Sequence, residues 1–169
     1  LLEISFIQKM TLFLEHRVYS LALVLAIFLS FAGLGSLHSL FWYKKLKRCL
    51  FHLPFLLIFS YSLILVLLSA YLSEVLLTLS FSFRILIVLA ILSPLAYLLG
   101  IPFMYALHSL EKELSSAAIS WAWAVNGFFS VVGALATKLL CLHLGFNLTL
   151  LLAGCLYLCA AGFLRKKSL

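Results

Sequence analysis

The chain has 169 residues, 66% of them hydrophobic and 10% charged, with a formal net charge of +7. A soluble domain carries roughly 25% charged and 45–50% apolar residues, so this composition excludes a water-exposed fold and makes lipid the expected solvent. The positive charge does not point to nucleic acid. The basic residues gather at Lys44, Lys45, Lys47 and Arg48 and again at Arg165, Lys166 and Lys167, each group beside an apolar stretch about a membrane thick, which is the placement of cytoplasmic anchors.

Taken in chain order, residues 1–14 are apolar but interrupted by Glu3, Gln8 and Lys9. They predict either an amphipathic interfacial helix or the tail of a spanning helix. The first residue is Leu and no signal peptide is visible, so the chain is expected to be a fragment or processed product of something longer. Five later segments each suffice to cross about 30 Å of hydrocarbon, which takes about 20 residues. They are residues 18–36, 53–72, 83–107, 117–140 and 144–164. Helix is the expected form, because a lone strand in lipid leaves its backbone unsatisfied and a barrel would need short alternating segments.

The third span carries Pro94 at its middle and Gly100-Ile101-Pro102 within two turns, so a kink is expected at one or both sites. Such a kink either exposes carbonyls to a substrate or merely bends the helix to pack. In the fourth span Ala118, Ala122, Asn126, Ser130 and Ala134 recur every four residues, with Gly127 and Gly133 widening the face. The first span repeats the device with Ala22, Ala26 and Ser30 before Gly33-Leu34-Gly35-Ser36. Small faces let helix backbones approach closely, so both helices are expected inside the bundle.

Orientation follows from the Lys/Arg distribution. With Lys44–Arg48 in the cytoplasm and each span reversing sides, the cytoplasmic side also receives Lys112 and Arg165–Lys167, while the other side holds only Arg17, Arg84 and Lys138, Lys9 being left out because its segment is unplaced. This bias places the C-terminus in the cytoplasm.

An ionisable group at membrane depth is costly and asks for an explanation. Glu3, with Gln8 beside it, is the candidate protonatable or counter-ion site if residues 1–14 belong to a spanning helix; at an interface these groups are simply wet. Asn126 is a candidate substrate ligand or, as the better reading, a hydrogen-bonding tie to a neighbouring helix. Trp121 and Trp123 read as interfacial anchors. Cys49, Cys141, Cys155 and Cys159 form no CxxC pair, and His16, His38, His52, His108 and His143 are scattered. No metal site, cofactor loop or catalytic constellation is predicted. Asn147-Leu148-Thr149 matches a glycosylation sequon but starts a span, too near the bilayer for use.

Three stretches together resemble one block of the membrane-embedded spermidine-synthase-like proteins. They are Glu3-Ile4-Ser5-Phe6-Ile7-Gln8-Lys9, Leu12-Phe13-Leu14-Glu15-His16-Arg17-Val18-Tyr19-Ser20-Leu21 and Gly33-Leu34-Gly35-Ser36. Leu99-Gly100-Ile101-Pro102-Phe103 is similar to that family's G-x-P-F-P turn, and Trp121-Ala122-Trp123-Ala124-Val125-Asn126-Gly127 to its A-W-A-W-G-x-N-G segment. Gly145-Phe146 through Leu156-Tyr157 resembles its last helix. Glu15 and Arg17 stand where the family has Gly and Pro, and Met104 replaces the second Pro of the turn.

The resemblance implies a membrane segment distantly similar to major-facilitator transporters, joined in the whole protein to a soluble domain of the aminopropyltransferase or methyltransferase type. No transfer chemistry is implied for these residues. The expectation is therefore one all-α domain over residues 1–169: a transporter-like polytopic bundle with five full spans and an N-terminal helix or half-span. It would sit in the inner or plasma membrane, with the lipid bilayer as its solvent. Further helices, a soluble domain of the same protein or a second copy would be its partners. The expected role is handling a small cationic or amphipathic metabolite, or anchoring an enzyme that does; the alternative is a structural anchor with no substrate.

Overall fold

The computed structural model describes residues 1–14, 17–45, 52–110 and 116–167. The described chain is all-helical: α1 Leu2–Phe13, α2 Arg17–Lys45, α3 Leu53–Leu67, α4 Ser69–Thr78, α5 Phe81–Leu110 and α6 Ser116–Lys167. Three helical stretches are long and apolar enough to cross a membrane, Val18–Phe41, Phe81–His108 and Ala118–Gly162, and the shorter Leu53–Leu67 is also apolar.

The breaks between helices have local causes. Pro54 sits in the first turn of α3, where its missing N–H would have had no helical partner. Leu68 separates α3 from α4, yet its N–H still reaches the Ile64 carbonyl at 2.9 Å and its own carbonyl accepts from Leu72 at 2.8 Å. The second predicted span is therefore jointed rather than uniform. Gly145, with φ 79° and ψ 169°, interrupts α6. The two halves of α6 then face one another, because Phe129, Val132 and Gly133 share one cavity wall with Ala153, Leu156 and Tyr157.

Two of the longest helices, α2 and α5, make the closest approach in the fold. Tyr19 and Phe81 meet near their starts with ring centroids 6.3 Å apart, and His38 and Tyr97 meet further along at 5.9 Å, so the two run parallel. At the crossing, a Cβ added to Gly35 would overlap the Tyr97 carbonyl oxygen, and one added to Gly100 would overlap that of Ala32. Each glycine thus receives the carbonyl found three residues before the other glycine. This reciprocity gives the crossing a local twofold character and sets up paired Cα–H···O contacts. A short helix followed by a long one also occurs twice, as α1–α2 and as α4–α5.

The core lies where α1 enters the bundle. Leu2, Phe6, Met10 and Leu14 recur every four residues on α1 and are buried against Val24, Ile27 and Phe28 of α2 and Leu150 and Ala153 of α6. Phe6 and Phe28 stack with centroids 6.3 Å apart. So α1 packs into the bundle and does not lie on its surface, with Glu3, Gln8 and Lys9 half-buried.

The expected small-residue faces are placed differently. On α2 the buried side carries Ser20, Val24, Ile27, Phe28, Gly35 and Ser39, whereas Ala22, Ala26 and Ser30 are exposed. The α1 helix supplies bulky side chains, and bulky partners fill the space between two helices better than alanines do. The close backbone approach of α2 to α5 lies at Ala32 and Gly35, not along the Ala22, Ala26 and Ser30 stripe. On α6, Ala118, Ala122 and Ala134 are only half-buried, and Asn126, Gly127 and Ser130 are exposed. A Cβ at Gly127 would meet nothing within 4 Å. That face is not interior to the described bundle, because no described helix of this chain covers it.

Pro94 is exposed and Pro102 buried within α5, which continues through both. Pro94 cannot donate to the Ala90 carbonyl. One residue along, the Tyr61 hydroxyl donates to the Ile91 carbonyl at 2.8 Å, so a neighbouring helix serves the weakened turn in the way membrane helices tolerate proline.

Candidate functional site

Two polar places stand out in this apolar chain. The first joins three helices. Lys9 Nζ of α1 donates to Asn147 Oδ1 of α6 at 3.3 Å, and Asn147 Nδ2 donates to Ser69 Oγ of α4 at 3.1 Å. Among the described residues no carboxylate pairs with Lys9. The amide therefore serves as acceptor for the cation and donor to the hydroxyl at once, a satisfied chain of donors. Sequence reasoning missed this site: Asn147 read as an unused sequon, and Ser69 carries no signal of its own. Lys9 alone was visible as a charge in an apolar stretch.

The cluster behaves as a tie between helices. Asn147→Ala removes both bonds, of which the Lys9 one is exposed, and is expected to cost about 1–1.5 kcal/mol. Ser69→Ala removes only the second bond and is expected to cost about 0.6 kcal/mol, the usual value between membrane helices. Thermal unfolding in micelles checks the order; equal and negligible losses would mean that the contacts hold nothing.

The second place is a cavity of about 460 Å³. Its wall includes Ser36 of α2, Phe55 of α3, and Gly100, Pro102, Phe103 and Met104 of α5. Trp123, Asn126, Tyr157 and Ala160 of α6 line the other side. Phe103 and Trp123 stand edge to face, 4.8 Å between centroids at 72°. The hydroxyls of Ser36 and Tyr157 and the Asn126 amide make no hydrogen bond to any other described residue. Three polar residues thus line an otherwise apolar and aromatic wall, without a hydrogen bond to any other described residue.

The cavity brings together residues that stood apart along the chain. Asn126, Gly100 and Pro102 share its wall, and Tyr157 from the second half of α6 joins them only because of the break at Gly145. Glu3 and Gln8 lie on α1, half-buried, and are not among the described residues of this wall. Ser36, Pro102 and Asn126 each lie eight to ten residues from the nearest end of their helix, or about 12–15 Å along the axis. Among the described residues no group of three or more His, Cys, Asp or Glu side chains gathers to hold a metal ion.

No protein-family model, curated protein or solved structure matches the chain.

Proposed function

We propose that the chain is a multipass membrane domain that crosses the bilayer five times and takes a small molecule into the cavity at Asn126. The crossings are α2, α3 with α4, α5 and the two halves of α6. The helical hydrogen bonds across Leu68 support counting α3 and α4 as one crossing. The single non-helical residue, Gly145, supports counting α6 as two. The parallel course of α2 and α5 agrees with alternating spans, and the Lys/Arg bias puts the C-terminus in the cytoplasm of a cell with this protein in its inner or plasma membrane.

The observation that carries the small-molecule reading is that Ser36, Asn126 and Tyr157, none bonded to another described residue, line one cavity of ligand size. The resemblance to spermidine-synthase-like membrane proteins fits this reading. There the domain would transport or channel a metabolite for a soluble domain, or hold that domain at the membrane, and any transfer chemistry would belong to the soluble part. A second reading is favoured by the uncovered face of Gly127 and Ser130: an anchor or assembly subunit whose α6 packs against further helices or a second copy.

Cysteine scanning separates the two. In a background without native cysteines, Asn126→Cys is expected to react with a water-soluble maleimide, and Leu135→Cys, exposed on the same helix, is expected not to. A span that stays unlabelled at both positions would remove the cavity reading and leave the anchor.

A further inference from the structure

The small-molecule reading can be taken one step further, on which the following rests. We infer that the molecule held at Asn126 is uncharged and amphipathic, with a flat ring bearing hydrogen-bonding oxygens.

Three observations select this class. The first is the wall itself. Phe55, Phe103, Trp123 and Tyr157 line it, and Phe103 and Trp123 are set edge to face at 4.8 Å. Rings in that arrangement receive a further flat ring by offset or edge-on stacking. The volume of about 460 Å³ is that of a small-molecule site.

The second is the polar set. Ser36, Asn126 and Tyr157 line the cavity and make no hydrogen bond to another described residue. A lipid acyl chain would fill the space but leave an amide and two hydroxyls unmet, which is unfavourable at membrane depth. The occupant must carry its own hydrogen-bonding groups, and oxygens suit the Asn126 amide and the two hydroxyl donors.

The third is charge. No charged side chain is among the described residues of the wall. An ion held here finds no counter-ion among the described residues of the wall and loses hydration wherever the aromatic wall covers it. Aromatic faces attract cations, but far less than desolvation repels them. Lys9 is engaged with Asn147, beyond the Gly145 break from Asn126, and Glu3 lies on α1. The cavity chemistry therefore argues against a polycation.

The test uses the full chain in phosphatidylcholine nanodiscs, with Trp42→Phe and Trp121→Phe so that Trp123 alone fluoresces. The probes are decylubiquinone, a neutral ring with carbonyl oxygens and no open ring position, and spermidine as the cation. Saturable quenching of Trp123 by decylubiquinone is expected. Asn126→Leu should weaken it roughly tenfold, as loss of one buried hydrogen bond implies, and Leu139→Ala, exposed on the same helix, should not. Quenching that rises without saturation and ignores Asn126→Leu reports only quinone dissolved in the bilayer and overturns the inference. Saturable binding of spermidine with none of the quinone overturns the ligand class while the small-molecule reading stands. Failure of both probes, together with an Asn126→Cys variant that stays unlabelled, overturns the inference and that reading alike.

Discussion

Replacing either Gly35 or Gly100 with alanine is expected to cost about 2–3 kcal/mol, near the upper end for overpacking a filled interior. Replacing both is expected to cost little more than replacing one. The reason is the reciprocal geometry: each added Cβ would overlap a backbone oxygen of the other helix, and a helix backbone cannot step aside as a side chain can. Relief requires α2 and α5 to move apart. Once one alanine has separated them, the second meets no clash, so the two costs do not add. Gly33 and Gly127 are the controls, since a Cβ at either meets nothing within 4 Å. Alanine there is expected to be neutral or to stabilise by up to about 1 kcal/mol through helix propensity. Reversible unfolding in micelles reads all four single variants and the double. Additive losses at Gly35 and Gly100, or a Gly35→Ala as harmless as Gly33→Ala, would show that the crossing is not the close contact described.

How far this was legible in the sequence depends on which kind of force sets each feature. Helix bounds follow from one-dimensional apolar runs, so the spans expected at residues 83–107 and 117–140 lie within α5 and the first half of α6. Residues 141–144, expected to form the loop between two spans, are helical, and the one non-helical residue described within α6 is Gly145. Facial packing is not one-dimensional. The stripe of Ala22, Ala26 and Ser30 has the spacing of a contact face, yet it is exposed, because α1 offers Phe6 and Met10 to be packed and α2 answers with Phe28 and Val24. Nothing local to α2 announces that choice. The tie of Lys9 to Asn147 and Ser69 joins positions 138 and 78 residues apart, and each is ordinary within its own segment. Asn126 was visible as a lone amide in a span. Its neighbours Ser36 and Tyr157 became candidates only when three helices brought them to one wall.

Gly145→Ala is expected to destabilise the fold by about 1–3 kcal/mol, the usual cost of forcing a side chain into a backbone region reserved for glycine. At φ 79° and ψ 169°, the residue lies outside the left-handed helical region that asparagine tolerates. Gly145→Asn should therefore be no milder than alanine. A D-alanine introduced by semisynthesis should restore stability, because the mirror image of this conformation is ordinary extended backbone for an L-residue. Straightening α6 is not an available escape. Its 52 residues would reach about 78 Å as one rod, far beyond the roughly 40–45 Å of a whole bilayer. It would also pull Tyr157 and Ala160 away from Asn126, with which they share the cavity wall. The strained variant must keep the turn and bear its cost, so the loss should appear in unfolding temperature while labelling at Asn126→Cys stays unchanged. An L-alanine variant as stable as the parent would mean that the chain reverses without the glycine conformation, and the opposition of the two halves of α6 would need another cause.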